Sequence, residues 1–506
     1  DPSALTLNAL LYYQTKLLAA FTDRLSYFTD AGSSPNYTGT KTDLSGTTFA
    51  LTAPRVARSV QQSGNLYVTT DNGVVKIDAY NGTIYKAGAP PGLDLRGTLD
   101  RANGIFTGNA EVAYRIVFGR KDANDNLILG APSDVLVLTN ALFSAIYSSV
   151  IIGAGPTYTV TVTTTAEHYL LAGMSVVMSA AVDTDANGTF TVVAVPTTTS
   201  FTYVAPADPG TGGLSISWTA TRRPRLEFSV PRELTDVTQK WFYQVFRSSI
   251  SSSYLTSPDV DFRKIDEQYL TSAQLTAGVV FYSDLISQIL VTYAPELYTN
   301  PNSGEGEAQA NTRPPKCDDV TLFQGYVFYA KCTTRHFINI DVVAPAVMAS
   351  TDTFLIKIDA LTRTYVARTG VGNSLVTSES ASFVLTTITV NYTAHNLLAG
   401  YTIYVSNALG TGTLPGGTYT IATAAANSFT FTAGGTQTTL TNLDFEGITN
   451  GTNPIFMLDN TSSSVSVQLG GTAKSLVKAV NRDASSLVYG NYVSGITDTP
   501  GKMRFT

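Results

Sequence analysis

The sequence predicts an all-β chain of several domains, and three observations predict it. The surface-forming residues are Thr, Ser, Asn, Gln and Gly, with only 14% charged residues beside 43% hydrophobic ones. β-Branched Thr packs well on a pleated sheet, while Ser and Asn compete with the helix backbone. Short alternating apolar stretches are separated by Asn-Gly, Asp-Asn-Gly and Pro-Gly turns, as in sandwiches, barrels and propellers. Finally, 506 residues exceed what one core can hold, since cores stop growing at roughly 250–300 residues.

The first 50 residues are predicted as a short helix and an arm. The apolar run Ala4–Phe21 is interrupted by Asn8, Gln14 and Lys16, and no small-residue cleavage site follows, so it is read as neither signal peptide nor membrane span. Leu7, Leu10, Leu11, Leu17, Leu18 and Phe21 fit one face of an amphipathic packing helix. The chain begins at Asp1 without an initiator Met, and residues upstream are expected.

Residues 51–105 read as propeller-like hairpins. Gly64–Asp78 is strand, tight turn, strand, and Leu322–Ala330 repeats the pattern within a second scaffold stretch, 296–380. The strands Val112–Asp122, Leu127–Pro132 and Trp241–Ser248 suggest a sandwich of the fibronectin III or immunoglobulin type, assembled from 106–147 and 221–295. Residues 446–506 are expected to return to the β scaffold.

An internal repeat accounts for the remaining segments, 148–220 and 381–445. Thr159–Gly173 (TVTVTTTAEHYLLAG) aligns with Thr386–Gly400 (TTITVNYTAHNLLAG). Gly188–Val192 then matches Gly417–Ile421, and Ser200–Tyr203 matches Ser428–Phe431. Two distant copies in the same internal order are read as two small β-domains inserted into loops, and not as a solenoid, which needs contiguous repeats.

Charge and motifs narrow the function classes. A net charge of −6 and a pI near 5.2 argue against tight nucleic-acid binding, yet suit a wall that DNA slides past. Cys317 and Cys332 match no zinc spacing and are read as free thiols; the alternative is a single bridge, because they flank a predicted strand and could meet across a hairpin. His168 and His395 hold the same repeat position without recurring metal-ligating neighbours, so they are read as junction residues bonding local backbone, and His336 beside Arg335 as structural or interfacial. Asp183–Gly188 resembles the start of a calcium loop, but position twelve is Ala194, so Asn187-Gly188 is read as a hairpin turn. There is no G-x-S-x-G, phosphate loop or H-E-x-x-H. No enzyme activity, cofactor or metal is therefore expected, although carboxylates distant in sequence could still pair as in a glycosidase. The one dense basic cluster, Arg222, Arg223 and Arg225, is a linker or interface element, with proximity to DNA as its functional alternative.

The repeat resembles a module common in phage virion proteins, in which T-V-T-T-x-x-x-H-x-L-x-x-G precedes N-G-T-F-T-V and S-F-T-Y. Residues 159–205 carry it nearly whole and 386–433 more loosely. Arg58–Asp78, Tyr114–Pro132 with KDANDNLILGAPS, and Leu297–His336 with LYTNPNSGEGEAQANTRPP also resemble phage structural proteins. Propeller-like hairpins with inserted β-domains are similar to the tail nozzles of short-tailed phages. That resemblance implies a virion tail component assembled in the host cytoplasm. It implies a homo-oligomer, a hexameric ring, below the portal and tail adaptor and beside the tail fibres, whose channel retains and then releases genomic DNA. Two alternatives remain: a tail fibre or host-recognition protein binding a receptor or glycan, and a polysaccharide-cleaving spike. The abrupt end at Gly501–Thr506 on an apparent strand start departs from the nozzle pattern.

Overall fold

The computed structural model describes the chain except residues 1–5, 30–39, 101–103, 142, 152–157, 166–167, 169, 198, 210–213, 301–305, 307–309, 334–335, 350, 359, 370–375, 394, 396, 410–413, 415–416, 435–441, 449–453, 459–463, 484, 487 and 494–499. Arg335 and most of the acidic stretch after Asn300 thus lie outside the described residues. The chain is all-β and multidomain, with sheets, two closed barrels and few helices.

The N-terminal segment is a hairpin and not the expected helix. Leu7–Tyr13 pairs antiparallel with Lys16–Phe21, which continues through Leu25–Thr29 to Thr40–Asp43 as a four-stranded meander. The apolar run also satisfies a period of two: Leu11, Tyr13, Leu18 and Ala20 are buried, whereas Leu7, Leu10 and Leu17 of the supposed helical face are exposed. The turn residues Gln14 and Thr15 both take positive φ, 48° and 63°, positions normally filled by Gly or Asn. A second meander, Ser59–Gln62, Asn65–Thr70, Gly73–Ile77 and Tyr85–Lys86, contains the hairpin read from Gly64–Asp78. The two meanders share one core around Leu18, Leu25, Phe49, Leu66, Val68 and Ile77. Each has the up-and-down order of a propeller blade, and no closed ring of blades forms among the described residues.

The sandwich follows. One sheet centres on Ala110–Lys121 and Phe242–Arg247, flanked by Arg263–Tyr269, Leu127–Leu129 and Leu136–Asn140. The other orders Val279–Ser283, Arg223–Ser229 and Leu93–Asp100. Phe106, Tyr114, Ile116, Phe118, Leu226 and Phe228 are among the side chains filling the space between. Leu93–Asp100, inside the span read as propeller hairpins, belongs to the sandwich by register, and Phe143–Ile151 leaves the sandwich span for the first barrel.

Both repeats close into six-stranded antiparallel barrels with the same strand order. In the first, Phe143–Ile151, Tyr158–Thr164, Ser200–Ala205, Gly188–Thr197, Ser175–Ser179 and Leu214–Ala220 form the ring. In the second it is Val376–Val384, Thr387–Asn391, Ser428–Thr432, Gly417–Ala425, Thr402–Leu409 and Asn442–Ile448. Val162 opposite Phe201 corresponds to Val390 opposite Phe429, so the barrel strands match with a shift one residue greater than the ungapped alignment of Thr159–Gly173 with Thr386–Gly400 that superposes the histidines.

The last unit contains a feature not expected in 446–506, the 18-residue helix Val465–Arg482. Leu469, Ala473, Leu476 and Val480 recur every three or four residues and pack with Tyr365, Phe456, Met503 and Phe505. Its sheets are Thr353–Ile358, Leu361–Arg368 and Ile455–Met457, and Ile338–Asp341, Lys502–Phe505 and Gly490–Tyr492. No helix of the described residues is long and apolar enough to cross a membrane.

Deep in the sandwich, Arg247 Nη1 lies 2.5 Å from Asp284 Oδ2, both side chains fully buried. The Tyr114 hydroxyl donates to the same oxygen at 2.7 Å, and Arg247 Nη1 also donates to the Ile286 carbonyl. Removing one partner strands the other charge in a dry interior. Asp284→Ala should therefore cost about 3–5 kcal/mol, read by denaturant unfolding followed through Trp241 fluorescence in a Trp218→Phe background.

Candidate assembly interface and its support

Among the described residues, stretch 319–361 concentrates two features that a chain alone in water avoids: unpaired β edges and exposed large apolar side chains. Asp319–Phe323 and Tyr326–Ala330 form an isolated two-stranded sheet, turned by Gln324 and Gly325 at φ 49° and 82°. One side of this hairpin docks on the second meander. Gln62 Nε2 donates to the Gly325 carbonyl at 2.7 Å, Arg55 Nη2 pairs with Asp318 at 2.8 Å and also bonds the Cys317 carbonyl, and Cys317 packs against Val74 and Ala87. On the other side Phe323, Tyr326 and Phe328 are 62%, 72% and 51% exposed. Further on, Ile338–Asp341 and Thr353–Ile358 are each the outer strand of a three-stranded sheet, and Ile338, Leu355 and Ile358 are exposed there.

Elsewhere the units are fastened by buried charge. The strand Arg223–Ser229 alternates: Leu226 and Phe228 enter the sandwich core, while Arg225, Glu227 and Ser229 face outward under other units. Glu227 Oε1 receives Lys478 Nζ at 2.8 Å and also bonds Arg482, whose Nε donates to Ser229 Oγ at 3.1 Å. Asn481 Nδ2 reaches Asp94 at 3.0 Å, and Arg232 donates to the carbonyls of Val480 and Val488. The long helix is thus bonded to the sandwich along one face. At the meander side, Lys76 Nζ lies 2.6 Å from Asp122 Oδ2, and Arg120 pairs with Asp78 at 2.9 Å.

The basic cluster is spent inside the molecule. Arg222 is buried and Nη2 donates to the His168 carbonyl of the first barrel at 3.2 Å. Arg223 Nη2 and Arg225 Nε both bond Asp100, at 2.9 and 3.1 Å. Arg225 also sits 4.8 Å over the ring of Tyr404, which stacks on Phe281 at 3.8 Å and so joins the second barrel to the sandwich edge. Where the first barrel leaves and rejoins its host, Asn140 Nδ2 donates to the carbonyls of Phe106 and Ala220. Gly108 lies there against Thr219, so close that an added Cβ would fall 1.9 Å from Thr219 Cβ.

The two repeat histidines hold barrel turns. Leu170 N–H donates to His168 Nδ1 and Leu397 N–H to His395 Nδ1, each at 3.0 Å, and each ring meets a Phe edge-on, Phe201 or Phe429. His336 is exposed. Asp183 caps the 3₁₀ turn Thr184–Ala186, its Oδ1 accepting from Asp185 N–H, and Asn187 bonds Ala181 through both amide atoms, which gives this acidic loop a structural use. Among the described residues no cluster of three or more His, Cys, Asp or Glu could hold a metal. A cleft of about 1660 Å³ opens between sandwich and long helix; Arg96, Lys474 and Arg504 alternate there with Asp94, Asp134 and Glu227, a lining with no preference for either sign of charge.

Sequence reasoning placed none of these seams. Glu227 and Lys478 are too distant in sequence to be paired by inspection. Lys474, Lys478 and Arg482, spaced by four beside an apolar stripe, carried the one readable signal.

No family model and no curated protein matches the chain. Among solved structures it is similar to the phage phi92 endosialidase at 11% identity, the alignment covering 83% of this chain and 54% of that one with a TM-score of 0.15. The chain spans about half the length of that protein. A TM-score this low defines no shared core.

Burial opposes ionisation of Asp122, but the Lys76 ammonium and the side-chain and backbone N–H groups of Asn126 outweigh it and hold the carboxyl at about 2. A depressed carboxylate stabilises above its unfolded value and loses that contribution as pH falls through the folded one. The meander–sandwich seam should hold at pH 5 and loosen from about pH 4 toward pH 2. Near-UV circular dichroism should show this acid step in the wild type, and Asp122→Asn should remove it.

Proposed function

We propose that the chain is a non-enzymatic structural subunit of a short-tailed phage tail: the nozzle, whose ring encloses the channel through which DNA is held and released. The observation that carries an assembly role is the set of open β edges and exposed apolar side chains in 319–361. Strand edges with unpaired N–H and C=O groups are covered in native assemblies by another strand. The occupant is a neighbouring copy of this chain, since closed rings of identical subunits repeat one heterologous contact. The virion assignment itself comes from the repeat module and the resembling stretches 58–78 and 114–132. The net charge of −6 accords with a lumen that DNA must traverse without sticking.

In this reading the barrels are fixtures and not swinging arms. Tyr404 stacked on Phe281 and Arg222 bonded to the His168 carbonyl hold each barrel to the scaffold. Tail adaptor and fibres are the further partners the reading implies.

Imaging of intact particles tests it directly. Six copies around the tail axis enclosing a channel support the nozzle. Three peripheral copies overturn it in favour of host recognition, and turnover of polysaccharide by the purified chain overturns the non-enzymatic role. In solution, the double variant Ile338→Lys, Leu355→Lys should weaken self-association by at least about tenfold with an unchanged far-UV spectrum, measured by sedimentation velocity. An unchanged assembly would remove these edges from the interface.

A further inference from the structure

The hairpin Asp319–Ala330 continues past its last named strand residues. Lys316 and Thr333 form an isolated antiparallel bridge, with Thr333 N–H donating to the Lys316 carbonyl at 2.7 Å. The ladder proper pairs Asp319 with Ala330. Between these two pairings each arm carries two residues, and the ladder is irregular: Lys331 takes φ 51° and Asp318 N–H donates to the Ala330 carbonyl at 3.2 Å, while Cys317 and Cys332 both adjoin the Lys316–Thr333 bridge. Beside a bonded pair, opposite Cα atoms of antiparallel arms lie about 4.5–5.5 Å apart, and closing a bridge there requires the Cys317 thiol, packed toward Val74 and Ala87, to turn toward the exposed Cys332. A disulfide needs Cα atoms roughly 4.4–6.8 Å apart. In the structure both thiols are free, Cys317 buried and Cys332 exposed.

We propose that Cys317 and Cys332 are an oxidation site at which a cross-strand disulfide closes the base of this hairpin. The inference goes beyond the tail reading and does not rest on it. The oxidant is a small disulfide such as oxidised glutathione. The exposed Cys332 thiolate attacks one of its sulfurs and releases one glutathione thiolate. Cys317 then loses its proton and attacks the Cys332 sulfur, expelling the second. Two protein thiols are oxidised to one disulfide, and one oxidant disulfide is reduced to two thiols. Burial, and then the charge of Cys332, push the Cys317 thiol up to about 11, which makes the closing step the slow one and hastens it as pH rises.

The bond would act on the hairpin that presents Phe323, Tyr326 and Phe328. With Arg55 and Gln62 gripping one side, closing the base leaves the strand pair no route to fray. The chain would then be looser where glutathione is reduced and tighter in oxidising surroundings.

The test is a non-reducing tryptic map of the full chain after incubation with oxidised glutathione and quenching with N-ethylmaleimide. Trypsin cuts after Lys316, Lys331 and Arg335, so the expected product is peptide 317–331 joined to 332–335 within a monomeric chain. Backbone amides between 319 and 330 should then exchange roughly 100-fold more slowly, as loop closure over some 15 residues predicts, and Cys332→Ser should abolish both effects. A glutathione adduct persisting on Cys332 at pH 9, or a bond between two chains, would overturn the proposal.

Discussion

The carboxylate of Glu227 takes two cations from one helix, Lys478 and Arg482, and the placement of the C-terminal unit depends on it. Glu227 lies on the reverse side of a strand whose other face fills the sandwich core. Its position is therefore set by hydrophobic packing before any charge arrives. The same logic recurs at Asp122 with Lys76. Apolar residues build each unit separately, and buried charges decide how the units sit against each other. Such pairs add little net stability against a well-packed apolar substitute, since both charges lose hydration. What they give is a single allowed orientation, because a shifted seam leaves several charges without partners.

A subunit that assembles as proposed would gain from that arrangement. Greasy seams slide at small energetic cost, whereas a charge seam has one register. The open edges of Ile338–Asp341 and Thr353–Ile358 belong to the unit that Glu227 orients. Their orientation is thus set through the 18-residue helix that Glu227 holds.

How much of this could be read in the sequence depends on how local each feature is. The hairpins at 64–78 and 322–330 were legible because Gly marks their turns. The N-terminal hairpin was not, because Gln14 and Thr15 occupy left-handed positions without announcing them, and its apolar run fits both periods. The long helix hid because Gly470, Gly471 and Thr472 dilute its stripe. Both barrels were visible as a repeat of core letters, His168 and His395 included. The basic cluster was visible as charge, but its partner Asp100 is more than a hundred residues away, and distance in sequence erases pairing information. The open edges escaped for a related reason: an edge strand and a central strand share the same alternation, and only the absence of a neighbour distinguishes them.

The neck of the first barrel carries a consequence of its own. The chain departs after Asn140 and returns at Ala220, and the Asn140 amide ties the return strand to Phe106 across the gap. Because exit and re-entry are adjacent and stitched on the host side, whatever lies between them is a cassette. A different module whose ends emerge equally close together could occupy the slot without disturbing the sandwich. The second barrel shows that this chain already tolerates the same module at another address. The scaffold is thus a chassis on which this decoration can be traded, at the cost of the bond from Arg222 to the His168 carbonyl.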